Sequence, residues 1–387
     1  MAHVVEINRP EQLEDLRLVW NSLASQTPGL SLFHTLDWLQ VYWKHFGAGQ
    51  HLRVLLVVSA NKPIGIVPLT VIEEKTRAGR VRVLTYPLHD HGTFYGPIGP
   101  NPAATLTLAF NYLHASPREW DLLDMRWVNR DEHDRFRTKW AMERAGYAVR
   151  ESIWKHTAVI EMQAGWDQYW ESRSSKMRSN LRRDEKRLRA QGHVEYIRYR
   201  PAGMAAGDDD PRWDLYQTCV EIAAASWQGA SETGTTLSHE RVAEYFREVH
   251  AIAVKHGMVD INILKVAGRA VAFSYNYVSN GELVGMRRGH LPEFSRWGVG
   301  NLLFLRMLKE SFQRGDRNLD LGPGSRDIKR GWSTHSADSY RYTHYPLFAP
   351  RVQLLRLKHW ARGERSAAHK HRSHCSHLGS TPVSSSM

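Results

Sequence analysis

The residues best suited to chemistry cluster late in the chain. Ser295-Arg-Trp-Gly298-Val-Gly300-Asn-Leu-Leu303 follows a strand-like run and opens a segment with Leu302, Leu305, Leu308 and Phe312 at helical spacing. Paired glycines at a strand-to-helix junction let backbone N–H groups turn outward, toward the positive end of the helix dipole. Such a junction can seat a pyrophosphate; a tight turn with no ligand accounts for the same residues equally well. No Gly-Lys-Ser/Thr closes the segment, so it is not a P-loop, and Leu303 stands where the dinucleotide fingerprint has its third glycine. Downstream, Asp320 ends a strand-like run ahead of Gly322-Pro-Gly324, Lys329 follows, and Tyr340, Tyr342 and Tyr345 lie toward a final strand.

Two histidine groups invite a metal reading. His89-Asp90-His91 has the look of a metal corner but no matching ligand motif, so it reads as a polar loop. His369, His371, His374, Cys375 and His377 lie in a Ser/His/Arg/Lys-rich tail where only adventitious metal binding is expected. No functional metal is expected. The stretch 173–200 holds ten basic residues against three acidic, with Trp166, Tyr169 and Trp170 just upstream. It reads either as a phosphate-neutralising surface or as a solvated helix face with Met177, Leu181 and Leu188 as its sparse buried stripe.

These residues need elements to hold them. In the first half, helices are expected at 13–23 and 36–46, strands at 53–59, 64–72 and 81–84 with a Lys62-Pro63 turn, and a Gly/Pro loop at 88–102. A helix at 103–113, a strand at 121–128 and a helix at 132–145 follow. In the second half, 166–190 reads as one helix, and Asp210-Pro211 as the start of the next. A helix at 242–256 precedes strands at 261–266, 270–278 and 283–287, the last two joined by Asn280-Gly281. A helix at 298–313 and strands at 317–321 and 339–345 complete the pattern, and the shared crude order of the halves suggests duplication.

The chain has 387 residues, 52 Lys+Arg and 40 Asp+Glu, for a net charge of +12. Its composition excludes disorder throughout, and its length suggests more than one core. No run of 18 apolar residues predicts a spanning helix, and the N-terminal residues lack a secretory pattern. Two cysteines cannot make a disulfide framework, so a cytoplasmic location is expected. Most of the excess charge lies in 173–200 and in the tail at 361–387, leaving a near-neutral body. That body argues against a general nucleic-acid coat.

Ser295-x-x-Gly298-x-Gly300 resembles the acyl-CoA pyrophosphate loop of GNAT-superfamily N-acetyltransferases, usually Gln/Arg-x-x-Gly-x-Gly/Ala. Asp320-Leu-x-x-Gly324-x-x-x-Ile328-Lys329-x-x-Trp332 resembles the Asp-Phe-x-x-Gly-x-x-x-Tyr-Lys-x-x-Trp pattern of the CelD-type branch, with Leu for Phe and Ile for Tyr. Ser175-Lys-Met-Arg-Ser-Asn-Leu-Arg-Arg183 and Phe33-His-Thr-Leu-Asp-Trp38 are similar to that branch too. The resemblance, over roughly residues 10–350, implies a mixed α/β (α+β) fold of two tandem GNAT-like modules. Each would be a mostly antiparallel twisted sheet flanked by helices: a degenerate module at 1–155, an acyltransferase module at 156–360, then a disordered tail at 361–387.

In the related Fem-type transferases one module keeps the cofactor site. The first half has Gly96, Gly99 and Pro100 but no spaced glycine loop, so the second half is assigned the site. The resemblance implies acetyl-CoA or a longer acyl-CoA as co-substrate. Amides of Trp297, Gly298, Val299, Gly300, Asn301 and Leu302 would hold its pyrophosphate; Met286, Arg287, Arg288 and 318–321 would hold its pantetheine arm. Asp320 is a candidate base or anchor, with turn capping as its alternative role, and Tyr340 a candidate acid. Lys329 and Asp90 are candidate substrate contacts. The acceptor would be an amine or hydroxyl of a small molecule, sugar, lipid or polysaccharide precursor. The alternatives are Fem-like transfer from charged tRNA, with tRNA or an acidic precursor on 173–200, and a non-catalytic scaffold in exopolysaccharide assembly.

Overall fold

The computed structural model describes residues 1–87, 94–229, 236–324 and 329–357. His89-Asp90-His91, Ile328 and the tail with Cys375 lie outside the described residues.

The first half runs β1 (Ala2–Ile7), α1 (Arg17–Ala24), α2 (Leu36–Phe46), β2 (His51–Ser59), β3 (Lys62–Thr76), β4 (Gly79–Thr85), α3 (Pro102–Ala115), β5 (Leu122–Val128), α4 (Arg137–Arg144) and β6 (Val149–Glu161). The second runs α5 (Trp166–Glu171), α6 (Ser175–Arg189), β7 (Val194–Tyr199), α7 (Trp213–Ala225), α8 (Glu240–Lys255), β8 (Val259–Val266), β9 (Arg269–Ser279), β10 (Glu282–His290), α9 (Val299–Arg314), β11 (Asn318–Asp320) and β12 (His335–His344). All strands join one sheet in the order β1-β2-β3-β4-β5-β12-β6-β11-β10-β9-β8-β7. The order is a palindrome about the central β12–β6 pair. Only β4–β5 and β10–β11 are parallel, one pair in each half, and each spans a helical crossover. The second half's last strand, β12, therefore pairs with β5, while the first half's last strand, β6, pairs with β11. Residue 155, the expected module boundary, lies inside β6.

Several expectations needed correction. The β2–β3 turn is Ala60-Asn61, with φ of 49° and 59°, and Lys62-Pro63 belongs to β3, where Pro63 stands beside a bulge. Asn280-Gly281 makes the same left-handed turn between β9 and β10, as its residue types predict. Strands β1, β6 and β7 went unread because their exposed or half-buried polar residues mask any apolar alternation. The expected helix over 166–190 breaks at 172–174, where the Met177 N–H donates to Ser174 Oγ at 3.2 Å and starts α6 anew. The expected helix over 132–145 begins only at Arg137, because Arg135 and Phe136 are left-handed at 49° and 63° after a wide turn over Arg130–Asp134. Asp210 does not cap α7 directly: its carboxylate accepts from Arg212 N–H at 3.0 Å, and Arg212 is the left-handed residue that begins the helix.

The N-terminal helices tie the halves together on one face of the sheet. Trp38 Nε1, fully buried, donates to the Tyr245 hydroxyl of α8 at 3.0 Å. Asp37 takes Arg17 at 2.6 Å, His256 at 2.7 Å and Lys255 at 3.0 Å, and these hydrogen bonds hold its carboxyl well below the ordinary range, the His256 bond contributing most. Arg198 and Arg200, counted in the basic stretch, point inward: they pair with Asp260 at 2.9 Å and Asp316 at 2.8 Å. The exposed charge of that stretch therefore belongs to α6.

Candidate active site at the β10–β11 splay

β10 and β11 share three parallel pairs, ending at Val284↔Asp320. β11 stops there, while β10 continues through a bulge between Gly285 and Arg287 to His290. The two strands part, leaving a wedge beside the bulge. The bulge also sorts the arginines. Arg288 lies over the Phe304 ring of α9 at 5.0 Å, whereas Arg287 lies over Phe246 of α8 at 5.6 Å. They point to opposite faces, so the expected set Met286, Arg287 and Arg288 does not act from one side. Burial lowers the pKa of both guanidiniums.

On the Arg288 face, a short turn over Pro292–Trp297 leads to Gly298, left-handed at φ 64°. That conformation favours glycine. The Gly298 N–H donates to the Ser295 carbonyl, and the Gly298 carbonyl accepts from Asn301 and Leu302, all at 3.0 Å. Val299 and Gly300 head α9, where N–H groups have no partner within their helix. Val299 and Leu302 send their side chains into the core, and the Leu302 N–H is already spent on Gly298, so of the two only the Val299 backbone can meet a ligand. A Cβ on Gly300 would stand 3.1 Å from His290 Nδ1, and His290 Nε2 lies 3.0 Å from Ser295 Oγ. Sequence reasoning missed His290, which only the bulge-shifted register brings to the loop.

Helix α6 forms the opposite wall. Lys176, Asn180 and Asp184 share a groove with Asn301 and Trp332. A Cβ on Gly298 would stand 2.9 Å from Asp184 Oδ2, so a carboxylate sits against the loop. Arg183 and Arg187 lie 3.4 Å and 3.7 Å from that carboxylate and partly neutralise it. Nothing in the spacing of residues marked Asp184, because α6 and α9 meet only in the fold.

At the wedge, Asp320 Oδ1 accepts from Gly322 N–H at 2.7 Å, which is the turn-capping role. Lys329 Nζ donates to the Gly322 and Pro323 carbonyls at 2.7 and 2.9 Å. Desolvation, opposed by Asp320 and helped by Arg288, brings the Lys329 ammonium down to about 8. Arg288, Asp320 and Lys329 are thus electrostatic neighbours. Tyr340 does not join them. It pairs with Val128 and Ile153, five residues along β12 from His335, whose partner Val159 pairs with Asp320. At ~3.3 Å per residue this displaces Tyr340 by about 17 Å along the strand, and the Arg130 guanidinium covers its ring at 3.7 Å. The register of β12 thus keeps Tyr340, the candidate acid, away from Asp320 and Lys329.

The first half answers differently at the matching place. β4 and β5 share two parallel pairs, and Ile98 bridges Ile66 within the crossover. The Gly99 N–H is consumed by Thr27 Oγ1 at 2.8 Å, and Pro102 opens α3.

Residues 175–330 match the family described as acetyltransferase (GNAT) domain. The matched span holds α6, the glycine loop, Arg288 and Lys329. The fold is similar to that of solved proteins over nearly the whole chain. FemX has a TM-score of 0.57 at 11% identity, covering 91% of this chain and 99% of that one. The C-terminal domain (DUF2156) of a putative lysylphosphatidylglycerol synthetase from Agrobacterium fabrum has a TM-score of 0.55 at 10% identity, covering 90% and 95%. L-PGS from Bacillus licheniformis has 0.53 at 14%, covering 91% and 96%. No curated protein matches the sequence. Among the described residues no helix is long and apolar enough to cross a membrane, and no cluster of His, Cys, Asp and Glu could hold a metal ion.

Proposed function

We propose that the chain is an acyl-CoA-dependent acyltransferase, with a first module at 1–155 and a working module at 156–360. The observation that carries this is the unused helix start of α9 opening on the same face as Arg288, beside strands that part. The residues fit an acyl-CoA: Val299 and Gly300 amides and Lys176 for phosphates, with Arg288 and Lys329 as cations beside the wedge. When bound, the thioester supplies an activated acyl carbon. The protein's part is to hold it, exclude water and admit an amine or hydroxyl from the opposite face. Backbone carbonyls of Gly322 and Pro323 fix Lys329 there, and Asp320 tempers its charge. The resemblance to the CelD-type branch, a sugar, lipid or polysaccharide acceptor and a cytoplasmic setting belong to this proposal. Titrating acetyl-CoA and a longer acyl-CoA while following the melting temperature tests it, since a ligand of the native state raises that temperature by mass action. No shift at millimolar concentration would sink it.

Asp184 favours a second reading. A carboxylate against the glycine loop suits a donor other than a pyrophosphate, and α6 exposes Arg182, Arg183, Lys186 and Arg187. A Fem-like transferase taking aminoacyl-tRNA on that helix would show salt-sensitive tRNA binding. Asp184→Asn decides between them: roughly three- to tenfold tighter acyl-CoA binding by calorimetry supports the first, and unchanged acyl-CoA binding with salt-sensitive tRNA affinity supports the second.

A further inference from the structure

On the sheet face opposite the glycine loop, the two halves enclose a cavity of about 110 Å³. It has a mostly apolar wall that includes Phe33, Phe94 and Tyr95, and a polar end built from both halves. Val284 of β10 lines it, the residue in register with Asp320 at the point where the strands part. The cavity therefore lies against the last paired residue before the strands part, on the side that the acyl-CoA leaves open.

The polar end has a definite hydrogen-bonding character. His34 lines this end, and its Nδ1 accepts from the Ser31 N–H at 3.2 Å, which leaves the ring proton on Nε2. Burial holds this histidine neutral, pulling its pKa down to about 4. His133 is placed by three contacts. Its Nε2 lies 3.7 Å from Glu282 of β10, its carbonyl accepts from Arg137 at 2.9 Å, and its ring lies on Gly29, where a Cβ would stand 2.6 Å away. Glu282 favours its protonated form. Asp134 stands next in the same wall: Oδ1 accepts from Thr138 N–H at 3.0 Å, and Oδ2 is buried with no partner among the described residues. The two residues after it, Arg135 and Phe136, are both left-handed. Consecutive non-glycine residues in that region are strained, and strain of this kind gathers at functional sites.

Arg137 also lines this end but is engaged by the His133 carbonyl, and Glu282 is shared between His133 and Arg317; the two imidazoles and two carboxylates around one apolar chamber complement a zwitterion. One water needs about 10–15 Å³, so the chamber has room for roughly seven to eleven water-sized groups, the size class of a small amino acid. We infer that this junction cavity is the acceptor pocket of the transferase and that it takes a free α-amino acid with a branched aliphatic side chain, its carboxylate on His34 and His133 and its amine beside Asp134 and Glu282. The inference rests on the acyltransferase reading and narrows its acceptor. The ammonium first gives one proton to water. The free amine then attacks the acyl thioester, forming C–N as C–S breaks, and the proton displaced from nitrogen ends on the departing thiolate.

The test is calorimetric and needs no turnover. The full-length protein is titrated with L-leucine, 4-methylpentanoate, 3-methylbutylamine and L-tryptophan, and separately with acetyl-CoA. L-leucine binds, the compounds lacking its amine or its carboxylate bind at least tenfold more weakly, and tryptophan is excluded by size. Val284→Trp, which fills the chamber, abolishes leucine binding and keeps acetyl-CoA binding; His133→Leu weakens leucine at least tenfold. Acetyl-CoA binding with no leucine binding overturns the pocket and spares the acyltransferase reading. Leucine binding that Val284→Trp and His133→Leu both leave unchanged also overturns it, because the ligand then sits elsewhere. Leucine binding without acetyl-CoA binding keeps the pocket and overturns the co-substrate.

Discussion

The two crossovers, β4–α3–β5 and β10–α9–β11, start from the same plan and end with opposite surfaces. Both join a short parallel pair through a helix. In the first, the segment before the helix is stapled down: Ile98 exchanges backbone bonds with Ile66 at 2.8 Å, Gly99 is tied to Thr27, and Tyr95 stacks on His34 at 5.1 Å. In the second, Gly298 turns left-handed and leaves the first amides of α9 with no partner in their own helix. Topology alone is thus silent about ligand binding. What differs is how the segment ahead of the helix is held: by distant elements at Ile66 and Thr27 in the first, by its own turn through Ser295 in the second.

That contrast can be broken directly. Gly298→Glu places a carboxylate and a Cβ in the open loop, facing Asp184, and should weaken acyl-CoA binding more than a hundredfold, at least ~2.7 kcal/mol. In the stapled crossover Gly99→Ala should do the reverse. Its Cβ would stand 2.8 Å from the Ile64 carbonyl at φ 125°, so the melting temperature falls by a few degrees, about 1–3 kcal/mol, while acyl-CoA affinity holds. Equal effects of the two variants on affinity would erase the distinction.

Smaller effects sharpen it. Arg288→Met keeps the contact with Phe304 but removes the charge, and a roughly tenfold loss of acyl-CoA affinity is expected from one charge-assisted contact. Lys329 supplies a pH signature. Its ammonium is present below about 8, so affinity for an anionic ligand should fall as pH rises through that value, with the inflection moved upward once an anion is bound. Lys329→Met should flatten that profile, read by calorimetry between pH 7 and 9.5. Smallest of all, Tyr340→Phe should leave acyl-CoA affinity and turnover within about twofold, since β12 carries that ring away from the wedge. A large loss there would restore Tyr340 to the chemistry.

Much of this was legible in residue order. Helix α2 ends at Gly47, where a Cβ would crowd the Trp43 carbonyl, and β9–β10 turns on Asn280-Gly281 because asparagine and glycine tolerate the left-handed region. The glycine loop and the mixed architecture could be read for the same reason. Three kinds of fact could not. Strands β6 and β7 carry polar side chains whose partners lie on other elements, as Arg198 pairs with Asp260 and Glu151 with Arg130. The bulge that sends Arg287 and Arg288 apart is a matter of register. The junction chamber needs residues 27–34, 129–137 and 282–284 in one place, and no spacing rule reaches across such distances.

The exchanged central strands carry a consequence for how the molecule is made. Thr343 of β12 donates to Asp124 of β5 across a separation of 219 residues, and Arg341 joins the same buried carboxylate. During synthesis β5 emerges long before its neighbour exists, so the first half waits with an unpaired inner edge until nearly the whole chain has left the ribosome. Contacts this remote close slowly. A fragment ending near residue 155 should be a sticky intermediate, and truncation before β12 should deprive the cell of both halves at once.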